Sequence, residues 1–290
     1  MAQVAILTDT TACLPEELYT RYQMITVPYY LHFGGRVARD MVDIKPLEFN
    51  AYLSGLPEKA ELPKTANPGP GDYLRAFIAG AERARDLISF HMTSIGSGAY
   101  QAALLAKEMA QQRLRGVRIE VVDTRNVSMC HGWMALQAAR AAEQGAVLDD
   151  ILKLVRKMIP VARMIQTADT LRYLYMGGRI GRAQHLVGSL LNVKPLVSMD
   201  DGVIVTLGVV RTRIGAYYRM AALVAKAVGA GGRFRLALTH AAAEWEAEAL
   251  RRLVAEAITP VETLFCELCP ALAVHSGPGT VGLCYVPEDL

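Results

Sequence analysis

Short apolar runs, each ended by a polar or glycine-rich break, alternate along the first half of the chain with stretches of helical periodicity. Val4 to Leu7 reads as a buried strand closed by the polar run Thr8 to Thr11. Pro15 opens a short helix, Glu16 to Tyr22, at a position that suits its fixed backbone angle. Ile25 to Phe33 reads as a second strand, with Gly34-Gly35 as a hairpin turn. Pro46 to Leu53 is helical in pattern. Leu56 to Pro70 holds four prolines and reads as an ordered loop with little regular structure. Asp72 to Arg85 places Tyr73, Ala76, Phe77, Gly80 and Ala81 on one helical face. Strand Leu87–Met92, the loop Thr93 to Gly98 and helix Ala99–Gln112 follow. Strand Val117–Val122 leads to helices Met129–Gln144 and Leu148–Met158.

This strand–loop–helix alternation predicts a parallel sheet covered by helices. In such sheets ligands gather at the carboxyl ends of strands. Those ends carry Thr8 to Thr11, Thr93 to Gly98 and Asp123 to Ser128.

Pro160 marks a boundary, and the pattern beyond it changes. A strand starts at Met164, and Asp169 is placed to cap a helix through Tyr175, stopped by Gly177-Gly178. A second short helix is expected over Ala183 to Leu191. Strands Pro195–Ser198 and Val203–Val210 flank a turn at Asp200-Asp201-Gly202. Helix Ile214–Val228, strand Phe234–Thr239, helix Ala242–Ala257 and strand Val261–Phe265 complete the reading. The expected fold class is α/β in two domains. Residues 1–159 form a parallel-sheet α/β domain, and residues 160–290 a mixed or antiparallel sheet with helices on one face.

Composition narrows the function classes. The 290 residues are 52% hydrophobic with mean hydropathy +0.21, ample for a packed core. Lys and Arg (31) nearly balance Asp and Glu (28), for a net charge of +3. That balance, with 7% aromatics, argues against a nucleic-acid binder. Charges interrupt every apolar run before the roughly 18 residues a membrane span needs. The first apolar run has no basic residues before it and meets Asp9 at once, unlike a signal peptide. A cytoplasmic location is the expectation. The five cysteines are scattered and odd in number, which suits reduced thiols. Cys266 and Cys269 form a C-x-x-C spacing at a strand end. No second ligand pair stands at zinc spacing, so buried small residues are the expected reading. No cofactor or metal is implied.

Four features carry candidate chemistry. Gly96-Ser97-Gly98 lies between a strand and a helix, where backbone N–H groups and a hydroxyl can receive an anion. Its glycines flank Ser97 directly, unlike the G-x-S-x-G of a nucleophile elbow. Neither a Walker A loop nor a complete G-x-G-x-x-G is present. Thr65 sits between Pro63 and Pro68, which hold its hydroxyl at low entropic cost. Arg179 follows Gly177-Gly178 and offers a bidentate donor. His275 opens the glycine-rich stretch His275 to Gly279 and can donate a hydrogen bond or move a proton. Each alone also fits an ordinary turn. Together they supply donors without metal ligands, a set suited to one anionic oxygen group.

In order along the chain, these stretches resemble the DegV family, the bacterial FakB-like fatty-acid-binding group. Thr8 to Ala12 resembles its T-D-S-T-A opening, and Thr65 to Pro68 its T-S-Q-P loop. Ser97 to Gln101 resembles S-G-T-Y-Q, and Val122 to Thr124 with Ser128-Met129 resembles V-D-S…S-M. Leu174 to Ile180 resembles L-x-x-G-G-R-I. Leu190 to Pro195 with Asp201-Gly202 resembles L-L-N-I-K-P…D-G. His275 to Gly279 with Gly282 resembles H-x-G-P-G…G. Thr10, Cys13, Asn67, Gly96 and Ala99 depart from the family's usual residues.

The resemblance implies a Rossmann-like first domain, a second α/β domain and a fatty acid between them. It implies a carboxylate held by Thr65, Ser97 and His275, with Arg179, Gly98, Gly96 and Thr10 in support. Arg211 or Arg213, in the strand after Asp201-Gly202, would serve the entrance or a partner. The partner implied is a fatty acid kinase that makes acyl phosphate for phospholipid synthesis, so the chain itself would catalyse nothing. The other class left open is a hydrolase or phosphotransferase that uses Ser97 with His275 on a small anionic substrate.

Overall fold

The computed structural model describes residues 4–57, 59–186 and 193–290. In the first half, β1 (Val4–Asp9) leads through a 3-10 turn (Thr10–Ala12) to α1 (Glu16–Arg21) and β2 (Ile25–Val27). Then come β3 (Tyr30–Phe33), β4 (Arg36–Arg39), α2 (Pro46–Ser54), β5 (Lys64–Ala66) and α3 (Pro70–Ala81). β6 (Asp86–His91), α4 (Ala99–Gln111), β7 (Arg118–Asp123), α5 (Ser128–Glu143) and α6 (Leu148–Met158) follow. The strands β2-β1-β6-β7, in that order, make the expected parallel sheet.

One expected strand, Ile25 to Phe33, is two. Pro28 has no N–H for a ladder, and the chain leaves the parallel sheet there. β3 instead joins β4 and β5 in a small antiparallel sheet, ordered β4-β3-β5. The β3–β4 hairpin turns on Gly34 and Gly35, both at positive φ as expected. β5 lies inside the stretch read as a loop.

The second half runs β8 (Arg163–Thr167), α7 (Arg172–Met176), a 3-10 segment (Gly181–Leu186), β9 (Lys194–Asp200) and β10 (Val203–Val210). α8 (Arg213–Val228), β11 (Phe234–His240), α9 (Glu244–Ala257), β12 (Glu262–Glu267), α10 (Pro270–Ser276) and β13 (Val281–Pro287) complete it. Six strands form a mixed sheet, β10-β9-β8-β13-β11-β12, antiparallel except for the β11–β12 pair. The β9–β10 hairpin turns on Asp201 and Gly202, both at positive φ. Of the helix expected over Ala183 to Leu191, residues 183–186 belong to the 3-10 segment and 187–191 lie outside the described residues, as do 190–192 of the stretch Leu190 to Pro195. α7 is not capped by Asp169. Leu171 stands at the cap, while Asp169 pairs with Lys194 and with Arg213 at 3.1 Å.

α5 explains how the two halves join. Its residues Ser128 to Leu136 are buried on every side, as expected of a helix enclosed by protein. It packs on β1 and β6 of the parallel sheet and on β8, β11 and β13 of the mixed sheet. Its one-sided neighbour α6 keeps an apolar stripe of Leu148, Ile151, Leu152, Val155 and Met158. Gly132 lets α5 approach the first turn of the chain, because a Cβ there would lie 2.5 Å from the Ala12 carbonyl oxygen. α8 and α9 cover the other face of the mixed sheet. α10 crosses back, with Ala271, Ala273 and Val274 buried in one cluster with Leu31, Phe33, Phe49 and Tyr73.

Candidate functional site

Thr65, Ser97 and His275 come from three separate parts of the chain and line one small cavity of about 60 Å³. Thr65 lies on β5, where pairing with Leu31 of β3 fixes it. Ser97 precedes α4, and its Oγ accepts from the Ala99 N–H at 3.2 Å. His275 is in the last turn of α10, not in the loop where its sequence context places it. Its Nε2 stands 3.0 Å from the Thr65 hydroxyl. The Ser97 hydroxyl shares a 2.7 Å hydrogen bond with the Tyr29 phenol. The direct Ser97–His275 bond that a nucleophile–base pair needs is not formed among these contacts.

Burial pushes the His275 imidazole down to about 4, and the Arg179 charge pushes the same way. A neutral ring can donate one N–H to an anion while its other nitrogen stays buried. That nitrogen, Nδ1, faces the backbone of Gly177, where a Cβ would come within 2.3 Å. Gly177 thus makes room for the imidazole, while Gly178, at positive φ, turns the chain after α7.

Arg179 is exposed and donates to the Gly177 carbonyl at 2.7 Å. It lines the small cavity and two larger ones beside it. Gly96 lines all three as well, and Gly98 starts α4 beside the Asn67 side chain. Thr10 is buried and off the cavity wall; Thr11 takes that place. Thr10 acts one step back, accepting from the Tyr29 N–H at 3.3 Å. Neither Arg211 nor Arg213 lies in the strand expected after Asp201-Gly202, because β10 ends at Val210 and Arg211 is exposed in the bend that follows. Arg213 opens α8, where Tyr217, Asp169 and the Gly279 carbonyl hold its guanidinium.

Met92, Gly96 and Arg179 also line a second cavity of about 380 Å³. Its walls include Val127, Met199, Val203 and Ile204, from both halves of the chain. The two cavities thus share Met92, Gly96 and Arg179 as a common wall, with Thr65, Ser97 and His275 on the smaller and Val127, Met199, Val203 and Ile204 on the larger.

Sequence reasoning missed Tyr29, Met92, Ala271 and Leu272, while Thr11 lies in the strand-end run Thr8 to Thr11 that it marked. Tyr29 reads as one aromatic in a strand, and only the break at Pro28 turns its phenol toward Ser97. The cysteines are all buried and unpaired. Among the described residues no cluster could hold a metal, and no helix is long and apolar enough to cross a membrane.

A second polar cluster lies beneath the first. Asp9 is fully buried and accepts from Thr11, whose N–H stands at 3.0 Å. Burial would raise its carboxyl, but the His91 contact and the nearby His131 outweigh that and lower it. Burial drives His131 to about 4. His131, His240 and His275 are thus held below their usual 6.5. Unfolding lets them take up protons between the folded and the free value, so their contribution to stability falls as pH drops from 6.5 toward 4. Asp40, raised by burial to about 6, acts in the opposite direction over much of the same range. With three groups against one, the melting temperature should decline from pH 7 to pH 4. Calorimetry showing a flat or rising midpoint would contradict these assignments.

The model of the DegV family, described as uncharacterised proteins, matches residues 3–288. The chain belongs to the DegV family. A DegV domain-containing protein of Streptomyces coelicolor is 33% identical over 97% of each chain. The structure is similar to that of a DegV-family protein from Thermus thermophilus described by its fatty acid binding, with TM-score 0.91, 30% identity and coverage of 98% and 99%. It is also similar to DegV of Bacillus subtilis, described as a fatty acid binding protein, with TM-score 0.86, 28% identity and coverage of 99% and 100%.

Proposed function

We propose that this chain binds a long-chain fatty acid, with its carboxylate at Thr65, Ser97 and His275 and its tail in the larger cavity. The observation that carries the reading is the meeting of Thr65 and His275, 210 positions apart, beside Ser97 in a cavity that shares a wall with a larger one. Three donors without a metal or an activated nucleophile suit holding an oxyanion, which must not be buried unpaired. Met92, Met199 and Ile204 give the tail adaptable apolar contacts. The fatty acid binding described for the Thermus thermophilus and Bacillus subtilis proteins supports the same reading.

In this reading the chain is a non-catalytic carrier in the cytoplasm. It presents the carboxylate to a fatty acid kinase through the face that bears Arg179, with Arg211 and Arg213 near the entrance. Residues 1–159 and 160–290 act as its two domains.

A series of saturated acids tests the tail site. Each buried methylene contributes about 0.8 kcal/mol, so affinity should rise about fourfold per carbon until the cavity is filled. Titration calorimetry would measure it, and equal affinity for octanoate and palmitate would overturn the tail assignment.

A further inference from the structure

Asp40, at the end of the β3–β4 hairpin, is fully buried and has no place on the cavity wall. Its two carboxylate oxygens serve different arms of the molecule. Oδ2 accepts from the Thr10 hydroxyl at 2.5 Å. Oδ1 accepts from the Ala271 N–H at 3.2 Å, in the first turn of α10.

Each arm ends on a different donor of the carboxylate cluster. Thr10 accepts from the Tyr29 N–H, and the Asp40 N–H donates to the Tyr29 carbonyl at 2.8 Å. Tyr29 in turn hydrogen-bonds Ser97. On the other arm, α10 is only two turns long, so fixing its first turn fixes His275 in its last. His275 then holds Thr65. We infer that Asp40 is a positioning residue that sets the spacing of Ser97 and His275 by holding Thr10 and the start of α10 on its two oxygens. This inference rests on the reading of Thr65, Ser97 and His275 as the carboxylate site.

Burial makes the Asp40 charge costly, which is why its carboxyl is raised to about 6. A residue kept only for stability would gain little from that charge. The amide of Asp40→Asn has the same shape but one accepting oxygen: it keeps the Ala271 N–H, while its NH2 group, standing where Oδ2 was, can only donate to the Thr10 oxygen, so the hydrogen bond from Thr10 to a charged oxygen is lost. Asp40→Asn should therefore melt at or above the wild-type temperature while binding palmitate about tenfold more weakly, the loss of about one hydrogen bond to a charged group. In the double variant with Ser97→Ala, the two losses should be smaller than their sum, since Asp40 acts partly through Ser97.

Long-range nitrogen NMR of the His275 ring, without ligand, supplies an independent readout. The resonances should shift in Asp40→Asn and stay in place in Arg36→Gln, an exposed change on the same hairpin. A shifted His275 in a protein whose wild type binds no fatty acid would retain the positioning role and reject the carboxylate reading. Unchanged His275 resonances with unchanged palmitate affinity in a folded Asp40→Asn would overturn the inference. A fall in affinity matched by a fall in melting temperature would overturn it too, since that is general destabilisation. If Asp40→Asn does not fold, Thr10→Val tests the Tyr29 arm alone, with a smaller but still measurable affinity loss expected and unchanged affinity contrary.

Discussion

Palmitate should be retained about 10²- to 10⁴-fold less tightly by a protein carrying both Thr65→Ala and Ser97→Ala. Each substitution removes one hydrogen bond to a charged oxygen, worth about 1.5–3 kcal/mol, and about 1.4 kcal/mol is a tenfold change. The fold should survive, because both side chains are only half-buried and neither belongs to an apolar cluster. The loss should appear in dissociation rate by competition with a fluorescent fatty acid. It should also be nearly independent of chain length, since the tail contacts are untouched. Wild-type affinity in the double variant would place the carboxylate elsewhere.

The largest loss of stability is expected from Trp133→Ala. Trp133 has no exposed surface and sits in the middle of α5, between the two sheets. Its cluster gathers Val4, Ile6 and Phe90 from one sheet with Met164, Cys284 and Val286 from the other. Its Nε1 also donates to the Cys284 carbonyl at 3.4 Å. Removing an indole from such a core costs about 3–5 kcal/mol, because neighbours on two sheets cannot collapse into the space. Denaturant unfolding would measure it. A loss of about 1 kcal/mol or less would mean that α5 is not the common wall of the two layers.

The parallel sheet was legible because β1, β6 and β7 are short and each leads through a polar or glycine-containing break to a helix, whereas β2 runs on into β3. The two hairpins were legible because Gly34-Gly35 and Asp201-Gly202 leave few other backbone solutions. Features that depend on distant pairing were not. β5 is three residues long and becomes a strand only because β3 lies beside it. β13 joins β8 to β11, strands more than sixty residues apart. Its Val281 to Val286 run is fully buried and gives no alternation to read. Pro270 signals the start of α10, but the glycines after His275 drew the reading toward a loop. Asp169 fits a helix cap in sequence, yet Lys194 and Arg213 compete for its carboxylate more strongly than backbone N–H groups do.

The site shows the same division. Thr65, Ser97, Arg179 and His275 stood out because each lies among glycines or prolines that constrain a loop or turn. Their convergence was carried by the resemblance, since nothing local links Thr65 to His275. Tyr29 and Asp40 gave no signal. An aromatic in an apolar strand and an aspartate after a hairpin are ordinary, and their roles arise only from the Thr10 and Ala271 contacts across the fold.

The central claim is that this chain holds a long-chain fatty acid, and mass spectrometry of its extract tests that most directly. Protein purified without detergent, denatured and extracted, should release close to one equivalent of long-chain fatty acid. After delipidation it should take up one equivalent of added palmitate. The absence of any stoichiometric fatty acid, together with no uptake of added palmitate by the folded protein, would contradict the account.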